Sequence, residues 1–332
     1  CNWGDNVSGY TACRYRVPAS RDPPVSDLYI GLALIGLLSV ATFAVSMRLA
    51  NGHRWVGNGL AIAGVLLTLF YVRFVWDDIR LARFLPVSNL IIVGNALPLA
   101  AGFLAGVLWK RIDHWRRIFG VAALAVVGGY AAVFPLLGIA PSCRKTWTNN
   151  GICLQTTPAT CTPACAATLL KFHGIDVTEA EMADLCLTRA RGTNWAGLYH
   201  ALKRKTEGTS LDVKVVFGSA ARLLDQLPGP VILSVGLPHD AAADSYYRTK
   251  WIWNPGEEHS ILLQGYNDKG MLQIIDPNPR IVYELWRPRD LSVLWRGQGM
   301  ALVPRRSKPS LSGWLQGSVP DQTGDDSAAA LR

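Results

Sequence analysis

The sequence predicts an all-α transmembrane bundle of four helices followed by a water-soluble α+β domain, and three observations predict it. Four long apolar runs occupy the first 142 of 332 residues. Near residue 150 the texture changes to short mixed segments punctuated by Gly and Pro. Charge divides at the same place: residues 1–142 hold 12 Lys/Arg against 6 Asp and no Glu, whereas 143–332 hold 21 Lys/Arg against 18 acids. Only 17% of the chain is charged and its mean hydropathy is +0.18, where a soluble chain carries about 25% charged residues. With Gly 31 and Pro 19, collagen-like and disordered classes are excluded. The net charge of +9 sits mainly beside the apolar runs, so it reads as membrane topology, and no nucleic-acid partner is expected.

The apolar runs are Leu28–Met47, Val56–Val72, Val87–Trp109 and Ile118–Ile139. Crossing about 30 Å of hydrocarbon takes roughly 20 helical residues, and none of the four runs has a charge at its middle. Asn95 with Pro98 reads as a polar kink, and Gly102 with Gly106 as a small-residue packing stripe. The first loop carries Arg48 and Arg54, and the third carries Lys110, Arg111, Arg116 and Arg117 against Asp113 alone, which marks both as cytoplasmic. Four crossings then put residues 1–27, an N-terminal tail, and everything after residue 142 outside the cytoplasm of a cell (inner) membrane. The chain does not begin with Met, so its N-terminus reads as processed or truncated, and Cys1 as lipid-modified, disulfide-bonded or neither.

The seven cysteines avoid all four spans. Cys1, Cys13, Cys143 and Cys153 fall on one membrane face, which suits two disulfides in an oxidising compartment; four reduced thiols is the alternative. With a Cys165–Cys186 contact added, Cys161 is left as the odd thiol.

Within residues 143–305 the helices come first. "CTPACAATLLKFHG" has Pro163 in its first turn and Gly174 as its stop, so Cys161 starts a helix whose macrodipole favours thiolate. Thr178-Glu-Ala-Glu181 reads as a capping box, and "GTNWAGLYHALKRK" as a third helix. "VILSVGL", "HSILLQGY", "MLQIID", "RIVYEL" and "GMALVP" read as strands of an antiparallel sheet. Residues 306–332 read as a polar, flexible tail.

A helix-terminal cysteine needs a base, and the base an orienting group. His259 opens one strand and Asp276 ends the next, so a tight turn between them brings the two together. Gln155 precedes Cys161 by six residues and can present a side-chain N–H to an oxyanion, beside the Cys161 backbone N–H. Cys165 is the rival nucleophile and His239 the rival base; His173 reads as a helix-end cation and His200 as a helix surface residue. Tyr246, Tyr247, Trp251 and Trp253 form an aromatic stretch that is a packed loop, a substrate wall or an interfacial belt. No Cys/His cluster has zinc spacing, and neither metal nor cofactor is expected.

Taken in order, Gln155, "CTPACAATLLKFHG", "GTNWAGLYHAL", "LPGPVILSV", "HSILLQGYND", "IIDP" and "LWRGQGMALVP" resemble the bacteriocin-processing double-glycine peptidases. These are the papain-like cysteine peptidase domains of peptide-exporting ABC transporters. The resemblance covers about residues 150–305 and implies a papain-like α+β fold, Cys161 as nucleophile, His259 as base, Asp276 as orienting residue and Gln155 as oxyanion donor. It departs at Thr162, where the family has Gly, and the chain contains no Walker sequence. The expected activity is a membrane-anchored cysteine peptidase acting on a peptide or protein substrate at the bilayer, with other membrane proteins as further partners. A catalytically inactive peptide-binding receptor on the same anchor is the alternative, and acyl transfer by the same residues is a third.

Overall fold

The computed structural model describes residues 26–305 apart from 77, 113, 227–228, 239–244 and 252. Its first half contains α1 (Ser26–Leu49), α2 (Arg54–Phe74), a one-turn α3 (Leu90–Val93), α4 (Leu97–Arg111) and α5 (His114–Val133). Four helical spans, Ser26–Leu49, Arg54–Phe74, Leu90–Arg111 and Trp115–Leu136, are long and apolar enough to cross a membrane. Leu37, Leu66, Leu67 and Val126 lie exposed on their outer faces, as side chains that meet hydrocarbon do.

The third span is not one helix, because Gly94, Asn95 and Ala96 interrupt it between α3 and α4. Backbone groups freed at such a break need partners inside the protein. The Tyr71 hydroxyl donates to the Gly94 carbonyl at 2.9 Å and accepts from the Ala96 N–H at 3.1 Å. The Asn95 amide donates to the Ala131 carbonyl at 2.8 Å, while its oxygen accepts from the Leu97 N–H at 3.1 Å. Gly102 and Gly106 do face α1: a Cβ on either would run into the α1 backbone carbonyls of Ser39 or Phe43.

The membrane half and the second half share a core. Ile79 and Ala82, from a short 3₁₀ turn after α2, and Leu90 of α3 are buried in the same cluster as Ile152, Leu169 and Leu202. This overturns one expectation. His200 is no surface residue: it is 1% exposed, and its Nδ1 lies 3.0 Å from the Ser88 carbonyl and 3.6 Å from Asp27. The residues covering it belong to the membrane half, more than a hundred positions earlier.

The second half contains α6 (Cys161–Phe172), α7 (Glu179–Leu185), α8 (Trp195–Thr206), α9 (Ala220–Asp225), α10 (Ser245–Lys250) and α11 (Pro288–Leu294). Its six strands are β1 (Leu211–Phe217), β2 (Val231–Gly236), β3 (Glu258–Tyr266), β4 (Leu272–Ile275), β5 (Tyr283–Trp286) and β6 (Trp295–Pro304). They form one antiparallel sheet in the order β1-β6-β2-β3-β4-β5. Strand β1 and the short helices α9, α10 and α11 were not expected. Along β3, Leu262 packs toward α6 and α8, while Ile261 and Leu263 pack toward α9 and α11. With both faces covered, β2 is buried at every position and reads as a continuous apolar run. Thr178 caps α7 by accepting from the Glu181 N–H at 3.1 Å, but the Glu181 side chain pairs with Lys205 instead of closing the box.

Candidate active site

The segment leading into α6 is pinned on both sides. The Gln155 N–H donates to the Pro277 carbonyl at 2.8 Å, which ties it to the turn after β4. The Glu179 carboxylate accepts from the Thr156 N–H at 2.7 Å and its hydroxyl at 2.6 Å. Thr157 caps the 3₁₀ turn Pro158–Thr160, whose first position is a proline with its φ already set. The chain then enters α6 at Cys161, which is buried.

On the sheet side, β3 and β4 pair with Leu262 opposite Ile275, so Asp276, just past the end of β4, comes beside His259 near the start of β3. Their Nε2 and Oδ1 lie 2.9 Å apart. Asp276 is 2% exposed, and its Oδ1 also accepts from the Asn278 N–H at 2.8 Å, so the carboxylate is fixed by its own turn. With Nε2 spent on Asp276, the other ring nitrogen is left to the thiol, and the His259 and Cys161 side chains interact electrostatically. Trp253 packs against the imidazole with ring centroids 6.0 Å apart.

The electrostatics follow from this line of groups. Burial works against a Cys161 thiolate. Interaction with His259, together with the Ser260 backbone and the Thr162 hydroxyl, outweighs it and brings the thiol below its ordinary value. Burial likewise opposes a charged His259. Asp276 first and Cys161 second overcome that and push the imidazole up to about 10. The pair therefore favours thiolate and imidazolium over thiol and imidazole.

The other cysteines lack this environment. Cys165 is buried one turn further along α6, donates to the Ser260 carbonyl at 3.3 Å, and burial drives its thiol well above the usual range. Burial pushes Cys143 up to about 11, Cys153 up to about 12 and Cys186 higher still. All five described cysteines are free thiols: neither Cys143 nor Cys153, expected with Cys1 and Cys13 to make two disulfides, is bonded, and Cys165 and Cys186, expected to pack or bridge, form no bond. The reason for Cys153 is packing: it faces Trp147 across a bridge and sits in the core, 0% exposed. Cys1, Cys13 and the rival base His239 lie outside the described residues. His173 is the C-cap of α6, and burial lowers it, so it is a weaker helix-end cation than expected.

Thr162, the departure from glycine, turns its hydroxyl inward to within 2.7 Å of the Ser260 Oγ. It joins the α6 terminus to β3 right beside His259. Gln155 keeps a buried carboxamide oxygen with no hydrogen-bond partner among the described residues. Ser260 was missed from sequence, although its place beside His259 was a signal. Nothing in the sequence pointed to Glu284, whose charge interacts with both Asp276 and His259. Among the described residues, no group of three His, Cys, Asp or Glu is arranged to hold a metal ion.

Four helices long and apolar enough to cross a membrane thus precede a sheet domain with the features of a cysteine peptidase. Residues 149–307 match the family model of the Peptidase C39 family. No curated protein matches the chain. Among solved structures, the peptidase domain of Streptococcus ComA, a bi-functional ABC transporter involved in a quorum sensing pathway, is 21% identical. The match covers 46% of this chain and 97% of that one, with a TM-score of 0.37. The peptidase domain of Streptococcus mutans ComA is 19% identical over 46% of this chain and 99% of its own, TM-score 0.32. A double glycine motif protease from an AMS/PCAT transporter, solved in complex with the leader peptide, is 16% identical over 50% and 96%, TM-score 0.35.

Proposed function

We propose that Cys161, His259 and Asp276 form the catalytic triad of a peptidase that cuts peptide or protein substrates at a membrane surface. One observation carries this reading: Asp276 hydrogen-bonds His259, whose imidazole in turn interacts with a cysteine at a helix N-terminus. The Cys161 thiolate attacks the scissile carbonyl. The Gln155 side-chain N–H and the Cys161 backbone N–H stabilise the oxyanion that forms. Imidazolium His259 gives its proton to the leaving amine, and a thioester remains on Cys161. Neutral His259 then takes a proton from water, whose hydroxide releases the acid product and regenerates the thiolate. Asp276 holds the imidazole in the tautomer and orientation both steps use. The inward bond of Thr162 leaves this arrangement intact, so nothing in the geometry favours an inactive receptor. A preference for Gly-Gly is what the family resemblance implies, and the leader peptide bound by the AMS/PCAT relative supports a peptide substrate.

The four helices are proposed as four membrane crossings, with the peptidase half on the extracytoplasmic face. The six basic residues of the first and third loops support that orientation. A reporter fused after residue 305 tests the orientation, and activity of a cytoplasm-dependent reporter would reverse it. The mechanism is tested by Cys161→Ala: hydrolysis of Gly-Gly peptides by the purified protein falls to background, and unchanged hydrolysis refutes it.

A further inference from the structure

An open cleft of about 390 Å³ lies on the β5 side of the sheet, lined by Tyr246, Trp251, Glu284, Arg287 and Asp290 among others. We propose that this cleft is a specificity subsite for a basic side chain of the substrate, on the leaving-group side of the bond that is cut. The proposal rests on the peptidase reading above and names the substrate class.

The lining charges do not cancel. Asp290 is spent inside the protein: it accepts from the Arg287 backbone, Nε and Nη2 and from the Tyr247 hydroxyl, each at 2.9 Å. Arg287 and Asp290 therefore neutralise one another. Glu284 has no such cation. One of its oxygens accepts the Trp286 indole N–H at 2.6 Å, and no other hydrogen bond to it forms among the described residues. Among the described residues that line the cleft, the one unmatched charge is the Glu284 carboxylate; burial raises it from its ordinary value, which a cationic ligand would reverse.

The walls suit a cation as well. Tyr246 and Trp251 stand with ring centroids 6.2 Å apart, and the Arg287 guanidinium already lies 5.8 Å from the Tyr246 ring centroid. A carboxylate between aromatic faces offers an ammonium or guanidinium both an ion pair and a π face.

The cleft connects to the chemistry through a row of rings. Trp253 packs on His259 at 6.0 Å, Trp286 on Trp253 at 6.4 Å, and Trp251 on Trp286 at 5.3 Å. Trp286 is fully buried, so the row does not itself touch substrate but fixes the distance from the imidazole to the cleft. His259 protonates the leaving amine, so the chain beyond the cut bond leaves past the imidazole over the surface above this row. At about 3.3 Å per extended residue, that row reaches the cleft within about five residues of the bond. Glu284 feels the charges of Asp276 and His259, which places it in the same electrostatic neighbourhood.

Binding to the full chain carrying Cys161→Ala, held in nanodiscs, tests the subsite without requiring turnover. The probes are fluorescent peptides with a central Gly-Gly followed by five positions, one of which carries lysine, its near-isosteric neutral counterpart norleucine, or glutamate. Lysine at one position is expected to bind about tenfold tighter than norleucine. Glu284→Gln, which keeps an acceptor for Trp286, brings that ratio below about twofold, and Glu284→Lys shifts the preference to glutamate. Equal binding of lysine and norleucine, absence of binding included, overturns the proposal, as does a ratio that survives Glu284→Gln. Loss of hydrolysis by the unsubstituted protein would instead strike the peptidase reading and leave these ratios standing.

Discussion

Replacing Asp276 by Asn isolates the orienting group. The amide keeps the size and one acceptor but loses the charge that faces His259 Nε2 at 2.9 Å. The site is shielded: the His259 and Asp276 side chains are 19% and 3% exposed, so little of the interaction is lost to solvent. Hydrogen bonds to charged groups contribute about 1.5–3 kcal/mol, which at about 1.4 kcal/mol per decade is roughly a 10- to 150-fold loss in kcat/KM. The pH profile carries a second signature. His259 titrates at about 10 against an ordinary 6.5, with Asp276 the largest of the groups raising it. A raised pKa means that the pair stabilises the fold fully below pH 6.5 and loses that contribution as pH rises through about 10. Activity needs the imidazolium, so its alkaline limb lies near pH 10 in the unsubstituted protein and moves toward neutral pH in Asp276→Asn. Initial rates of peptide hydrolysis from pH 5 to 11 measure both effects. A kcat/KM within twofold of the parent, with the alkaline limb unmoved, would show that Asp276 does not act on His259.

Three further outcomes follow from the geometry. Gly106→Val drives a side chain into the Phe43 carbonyl of α1, and overpacking of this kind costs about 1–3 kcal/mol, read as a lowered thermal midpoint in nanodiscs. Thr162→Val strands the buried Ser260 hydroxyl and loosens the α6–β3 junction; a loss of about 1–3 kcal/mol in unfolding free energy is expected, and an unchanged midpoint would dismiss the bond. His200→Phe removes the ring nitrogen beside the Ser88 carbonyl and sets that backbone group against an apolar ring. Limited proteolysis of the residue 76–90 loop should then accelerate, whereas an unchanged rate would mean that the two halves are held elsewhere.

What sequence revealed of this protein was local. Pro163 and Gly174 bracket α6, so the place of Cys161 at a helix start was legible, and strand ends flanking a turn brought His259 to Asp276. What escaped depended on neighbours far along the chain. His200 looked like a surface residue because nothing near it in sequence announces residues 27 and 88 as its cover. Strand β1, "LDVKVVF", follows a helix and gains its identity only by pairing with β6 at the far end of the domain. The disulfide expectation counted cysteines on one membrane face but could not see the hairpin register that turns Cys153 into the core. The parity argument for Cys161 does not hold, because the other described cysteines are free thiols as well; Cys161 stands apart through its interaction with His259.

Thiol reactivity tests the central claim most directly. Cys143 is more exposed than Cys161, yet its thiol is pushed up to about 11 while that of Cys161 is held below its ordinary value. At pH 7, a peptide bearing a thiol-reactive electrophile should therefore label the buried cysteine in preference to the accessible one. Intact-mass and peptide mapping are expected to find a single adduct on Cys161, lost in His259→Ala. Labelling led by Cys143, or of Cys161 at the same rate without His259, would contradict the account.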